Sequence, residues 1–181
     1  MPLPAYDVKM GSGIFLWVER RLSSAKWEMV KRRQIEDREY DADEMPGPRY
    51  RWELGKNYNL FAIIADHRNY RGNYEFTTDV ISPPRGLPAD ISDEVLRDAT
   101  TGFFGSSGQP TRAQRMNALL ANDIVAASWV TLEELLAVDW EQATHGEGVL
   151  GEEGDFLVML REEIVPVGPP DVVRLVFFFD C

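Results

Sequence analysis

The sequence predicts an α+β domain: a mainly antiparallel sheet with an N-terminal hairpin next to the C-terminal strand, and helices packed on one face. Three observations predict it. Gly13 to Arg33 holds two runs of bulky residues around a small polar turn. Asp171 to Asp180 is an almost unbroken apolar run. Between them, helical periodicities recur with recognisable caps. Strands at both ends of a chain with helices between them make an α+β arrangement.

The hairpin comes first. Gly13 to Arg21 reads GIFLWVERR, and Lys26 to Arg33 reads KWEMVKRR, with Ser23-Ser24 between them. Such a pair around a polar turn is a hairpin signal. In the second run Trp27, Met29 and the stem of Lys31 share one face, with charges opposite. Glu36 to Arg49, EDREYDADEMPGPR, is charge-dense and ends in prolines, so it reads as a surface loop.

Asn57 to His67, NYNLFAIIADH, is the first helix. Asn57 is its N-cap, and Leu60, Phe61, Ile63 and Ile64 form a wide apolar face. Tyr70 to Pro88 carries Pro83, Pro84 and Pro88, which remove donors and fix φ, so it is extended or looped. Ser92 caps a short helix with Asp93 and Glu94 in its first turn. Thr101 to Pro110, TGFFGSSGQP, is a Gly/Ser loop expected to be pinned to the core by Phe103 and Phe104.

Thr111 to Ala121 is helical, with Met116, Leu119 and Leu120 on one side. Thr131 and Glu134 make a capping box, in which each side chain satisfies the other's free amide. Asp155 caps a helix running to Val165, and Gly168-Pro169-Pro170 ends it. The last run, DVVRLVFFFD, is interrupted only by Arg174. A strand of that kind is buried on two sides, at the centre of a sheet.

Composition bounds the rest. At 181 residues, 44% hydrophobic and 11% aromatic, the chain suits one domain, 1–181, with a real core. A net charge of −11 repels phosphate backbones and disfavours direct nucleic-acid binding. Solvated surface charge is the simpler reading of that acidity, and a DNA mimic the sharper one. The one cysteine, Cys181, permits no disulfide within the chain. With no signal-peptide pattern at the start and no long apolar stretch, the expectation is a cytoplasmic protein away from membranes.

Motifs for chemistry are sparse. Gly102 to Gly108 lacks the Lys-Ser/Thr of a phosphate loop. His67 and His145 share no ligand spacing and one cysteine makes no thiolate cluster, so no metal is expected, with a carboxylate-only magnesium site left as the alternative; no cofactor is expected either. Asp66-His67 at a helix end reads as an acid/base pair or as a cation settling the helix C-terminus. Arg85, within PPRGLP, reads as a stiffly displayed cation for an anionic ligand, or as part of a simple connector.

Five segments together resemble an uncharacterised family of phage and prophage proteins: GIFLWVE from Gly13, NYNLFAIIADHRN from Asn57, PRGLP from Pro84, SWVTLEELLAVDW from Ser128 and VRLVFFFD from Val173. Their order and spacing carry the likeness, which covers most of the chain. In that family the first strand reads Asp-Ile-His, and a histidine shortly precedes the Ser-Trp pair. Here those slots hold Gly13-Ile14-Phe15 and Val125, while Asp123 and Ser128 are kept. The resemblance thus implies that any polar site of the family is absent or altered in this chain. Phe15 and Val125 neither ligate a metal nor carry a proton.

These readings favour a non-catalytic binding protein of phage type, acting on a host protein or a small nucleotide ligand in host takeover or counter-defence. Its ligand-binding candidates are Phe15, Trp129, Trp140 and Arg85. The alternatives are a phosphoester or nucleotide hydrolase built on Asp66, His67, Asp123 and Asp139, and an acidic DNA mimic. A homodimer would use Trp17, Trp27 or Trp52 near the sheet edges.

Overall fold

The computed structural model describes residues 13–24, 26–32, 50–52, 54, 56–67, 80–104, 109–121, 125–151 and 154–179. The expected Glu36–Arg49 loop, most of the Tyr70–Pro88 segment, Asp123 and Cys181 lie outside the described residues.

The strands are β1 (Ile14–Ser23), β2 (Lys26–Val30), β3 (Val125–Thr131), β4 (Leu150–Gly151), β5 (Gly154–Asp155) and β6 (Val173–Phe179). β2, β1, β6 and β3 form one antiparallel sheet in that order, and β4 and β5 form a small ribbon. The hairpin therefore lies beside the C-terminal strand, as the sequence predicts. Every residue of β6 is buried.

The helices are α1 (Tyr58–Ala65), α2 (Asp93–Ala99), α3 (Arg112–Ala121), α4 (Leu132–Leu136), α5 (Trp140–Ala143) and α6 (Phe156–Met159). Their starts follow local chemistry. Side-chain oxygens of Asn57, Ser92 and Asp139 each accept from the amide three residues on. Thr131 and Glu134 complete their capping box. Asp155 caps α6 through the Leu157 amide.

Alternation along β6 sends its side chains into two cores. Val173, Leu175, Phe177 and Phe179 join Ile14, Leu16 and Val18 beneath α1, α4 and α6. Val176 and Phe178 join Trp17 and Met29 beneath α2 and α3. Helices thus cover both faces, where one was expected. The cause is β6 itself, which is apolar on both sides and needs both covered.

Two further details differ from expectation. The helix capped by Asp155 is not uniform: α6 passes into a π turn over Leu160–Ile164 and a 3₁₀ turn over Val165–Val167. Pro166 explains this, because it has no amide hydrogen and its ring crowds the carbonyl four residues back. Phe103 is 44% exposed and so does not pin its loop, while Phe104 lies under the Arg115 guanidinium.

One irregularity positions the site described next. Val125 pairs with Phe179 and Ser128 with Phe177, so β3 carries one extra residue there, with Ala126 at φ 51°. This is a β-bulge. Beside it the Ala127 carbonyl accepts from the Gly86 amide and Ser128 Oγ accepts from the Arg85 amide. The PRGLP loop is thereby fastened along the outer edge of β3.

Candidate functional site

α2 and α3 cover only part of their face of the sheet. Past Trp17 and Val176, the register brings Glu19 opposite Arg174, Arg174 opposite Thr131, and Arg21 opposite Trp27. The loop from Arg85 to Asp90 walls this uncovered end. The result is a groove of about 480 Å³ lined by Arg21, Trp27, Arg85, Leu87, Pro88, Ala89, Asp90, Trp129, Thr131, Asp171 and Arg174.

Inside the groove, guanidinium groups alternate with indole rings. Arg21 lies 5.8 Å from the centre of the Trp27 ring. Arg174 follows, 3.9 Å from Trp27 and 5.9 Å from Trp129. Arg85 closes the series, 4.8 Å from Trp129. Such contacts are favourable because the ring faces are electron-rich.

Each cation also has a carboxylate. Arg174 donates to Glu19 Oε2 from Nε at 2.8 Å and lies 2.7 Å from it through Nη2, and it donates to Asp90 Oδ1 at 2.7 Å. Glu19 Oε1 accepts from the Ser92 amide at 2.7 Å, which ties the cluster to the start of α2. Asp90 Oδ2 accepts from Trp27 Nε1 at 2.8 Å. Arg85 donates to both carboxylate oxygens of Glu134 and to the Trp129 carbonyl. Arg21 donates to the Asp171 carbonyl at 2.9 Å. Glu134 therefore serves both the α4 cap and this ladder.

The charges follow from this geometry. Burial works against ionisation of Asp90, but the hydrogen bond and charge of Arg174, with the Trp27 and backbone bonds, outweigh it. The carboxyl sits below its ordinary value. At Glu134 the Arg85 hydrogen bond is the main cause of a lowered value, opposed by burial and helped by Thr131. Carboxylates held in the ionised form are weak proton acceptors. Asp90 and Glu134 are thus held as ionised partners of Arg174 and Arg85.

The four expected ligand-binding residues are not brought together. Trp129 packs with the second core, whereas Trp140 packs with the first and donates its Nε1–H to the Leu135 carbonyl. Phe15 is stacked 5.2 Å from Phe178 beneath the Arg51 guanidinium, so its slot is filled. It lies six residues before Arg21 on β1, about 20 Å along the strand. Phe15 pairs with Phe178 and Val125 with Phe179, so the two slots face different residues of β6. Only Arg85 and Trp129 of the four share the groove.

The hydrolase candidates are dispersed in role. His67 stacks 4.3 Å from Phe179, and Asp66 forms the left-handed end of α1. Asp139 caps α5 and lies in the wall of a separate groove of about 160 Å³, which includes neither Asp66 nor His67. Among the described residues no group of three His, Cys, Asp or Glu is placed to hold a metal, and no helix is long and apolar enough to cross a membrane. Trp17 and Trp52 are core residues, at 1% and 2% exposure. Trp27 alone of the proposed dimer tryptophans reaches the surface, half-buried in the groove.

Arg21, Arg174, Asp90 and Glu134 escaped the sequence reading as site residues, and Trp27 entered it only as a candidate for a homodimer contact. The signal was present in Arg174. A charge inside a strand buried on two sides must have a partner, and its partner marks a polar site. Neither the sequence nor the fold finds a match among models of known families, curated proteins or solved structures.

Proposed function

We propose that this chain is a non-catalytic binding protein that recognises a partner protein through the groove between Trp27 and Trp129. The observation that carries this reading is the braced series Arg21, Trp27, Arg174, Trp129 and Arg85 on one open face. Tryptophan and arginine dominate the energetic centres of protein interfaces. Rings and guanidiniums already held by hydrogen bonds lose little freedom when a partner arrives.

A small nucleotide fits less well. Arg174 and Arg85 are both engaged by carboxylates, so a phosphate would have to displace Asp90 or Glu134. The resemblance read in the five sequence segments is the support for seeking a bacterial host protein as the first partner, in host takeover or counter-defence.

A photo-crosslinking residue placed at Leu87 in the groove wall tests the proposal in a bacterial lysate, with Leu150, 71% exposed and outside the groove, as the comparison position. A discrete adduct from Leu87, absent from Leu150 and lost with Trp129→Ala, is the expected outcome. Equal adducts from the two positions would contradict it.

A further inference from the structure

We propose that the occupant of this groove is a lysine- or arginine-bearing segment of the partner protein, laid along a track that passes Trp27. This rests on the binding reading above and adds the sign of the charge and the form of the ligand.

The sign follows from which member of each ion pair faces water. The Arg174 side chain is 4% exposed and that of its partner Asp90 is 50% exposed. Arg21 is 37% exposed against 66% for Asp171. Arg85 is 25% exposed against 33% for Glu134. In the two pairs whose carboxylates line the groove, those of Asp90 and Asp171, the guanidinium is turned inward and the carboxylate outward, whereas Glu134 lies outside the lining and is about as exposed as Arg85. An approaching ligand therefore meets carboxylates first. A carboxylate offers about four acceptor positions, so Asp90 keeps room for a further donor after serving Arg174 and Trp27, as does Asp171 after serving Arg21. The net charge of −11 adds a long-range field of the same sign, which steers cations inward.

The form follows from continuity. Trp27 and Asp90 line this groove and also an adjoining one of about 400 Å³ that runs past Lys26, Asp93 and Arg112. There Asp93 is 69% exposed against 41% for Arg112, and the carboxylates of Glu28, Asp90, Asp93 and Glu94 share the lining with Lys26, Arg97 and Arg112. Two grooves sharing one wall make an elongated path, which suits a chain segment better than a compact molecule. The faces of both indoles are already engaged by guanidiniums, which leaves little room for a flat ligand to stack. Cationic side chains of the segment would reach Asp171, Asp90 and Asp93 in succession, with their alkyl stems against the ring edges.

The test is a titration of the full chain, followed by NMR at the indole Nε1–H signals of Trp27 and Trp129. The probes are hexa-arginine, hexaglutamate and ATP. Hexa-arginine is expected to move the Trp27 signal, to bind more weakly as salt rises, and to lose about threefold in affinity with each of Asp171→Asn and Asp93→Asn. Glu162→Gln, an exposed carboxylate away from the groove, is expected to leave binding unchanged. Stronger movement with hexaglutamate or ATP would overturn the assigned sign and leave the groove a binding site. No movement with any probe would overturn the groove reading as well. Unchanged affinity in the Asp171→Asn, Asp93→Asn double variant would place the cation elsewhere on the acidic surface and overturn the proposal.

Discussion

Replacing Arg174 by Met is the sharpest perturbation of the ladder. Glu19 is fully buried and receives the guanidinium on Oε2 and the Ser92 amide on Oε1. Without Arg174 its charge is left with that single amide. Breaking a buried ion pair from one side costs about 3–5 kcal/mol. Asp90, half-exposed, adds about 0.2–1 kcal/mol at most, because water already screens it. The double change Glu19→Leu, Arg174→Met removes both buried charges and leaves chiefly the Ser92 amide unpaired, at about 1–3 kcal/mol. The double variant is thus expected to be more stable than Arg174→Met alone. Urea unfolding followed by tryptophan fluorescence measures both, with an unchanged slope as the check that the denatured state is comparable. A cost below about 1 kcal/mol for the single variant, or a double variant as unstable as the sum of its singles, would show that Glu19 and Arg174 are not a coupled buried pair.

Three other outcomes are expected. Phe177→Ala, which empties a fully buried ring position at the centre of the sheet, costs about 3–5 kcal/mol in urea unfolding. Thr131→Ala removes one half of the capping box and costs about 1 kcal/mol, seen as a lower thermal midpoint. The folded-state values of Asp90 and Glu134 lie below their ordinary values of 3.8 and 4.5, so their contribution is full above those values and is lost as pH falls through the lower folded ones. Stability measured on descending from about pH 5 therefore falls less steeply in Glu134→Gln than in the parent chain. A parallel fall in the two would contradict the assignment.

The fold was legible where one residue's chemistry decides a local structure. The caps at Asn57, Ser92, Thr131 and Asp155 are short-range hydrogen bonds, readable from spacing alone. The unbroken apolar run of β6 announced a strand at the centre of the sheet, and with hindsight it also required helices on both faces. The groove was less legible because it is assembled by register. Trp27, Arg174 and Trp129 lie on three strands, and Asp90 on a loop, far apart in sequence. Periodicity reports which face a residue takes, but not which cross-strand neighbour it meets. Trp129 and Trp140 looked like one pocket in sequence and lie in different cores, because α4 carries the chain from one edge of the sheet to its other side.

Recognition by this chain is proposed to run through the Trp27–Trp129 groove. Its most direct test is the affinity of the crosslinked partner, once identified, for the parent chain, Trp27→Ala and Leu150→Ala by isothermal titration calorimetry. Trp27 is half-buried on the edge strand β2, outside the buried residues of both cores. Trp27→Ala is expected to weaken binding by about thirtyfold, the loss of one interface hot spot of about 2 kcal/mol. Leu150→Ala is expected to bind like the parent chain. Parent-like affinity in Trp27→Ala would contradict recognition through this groove.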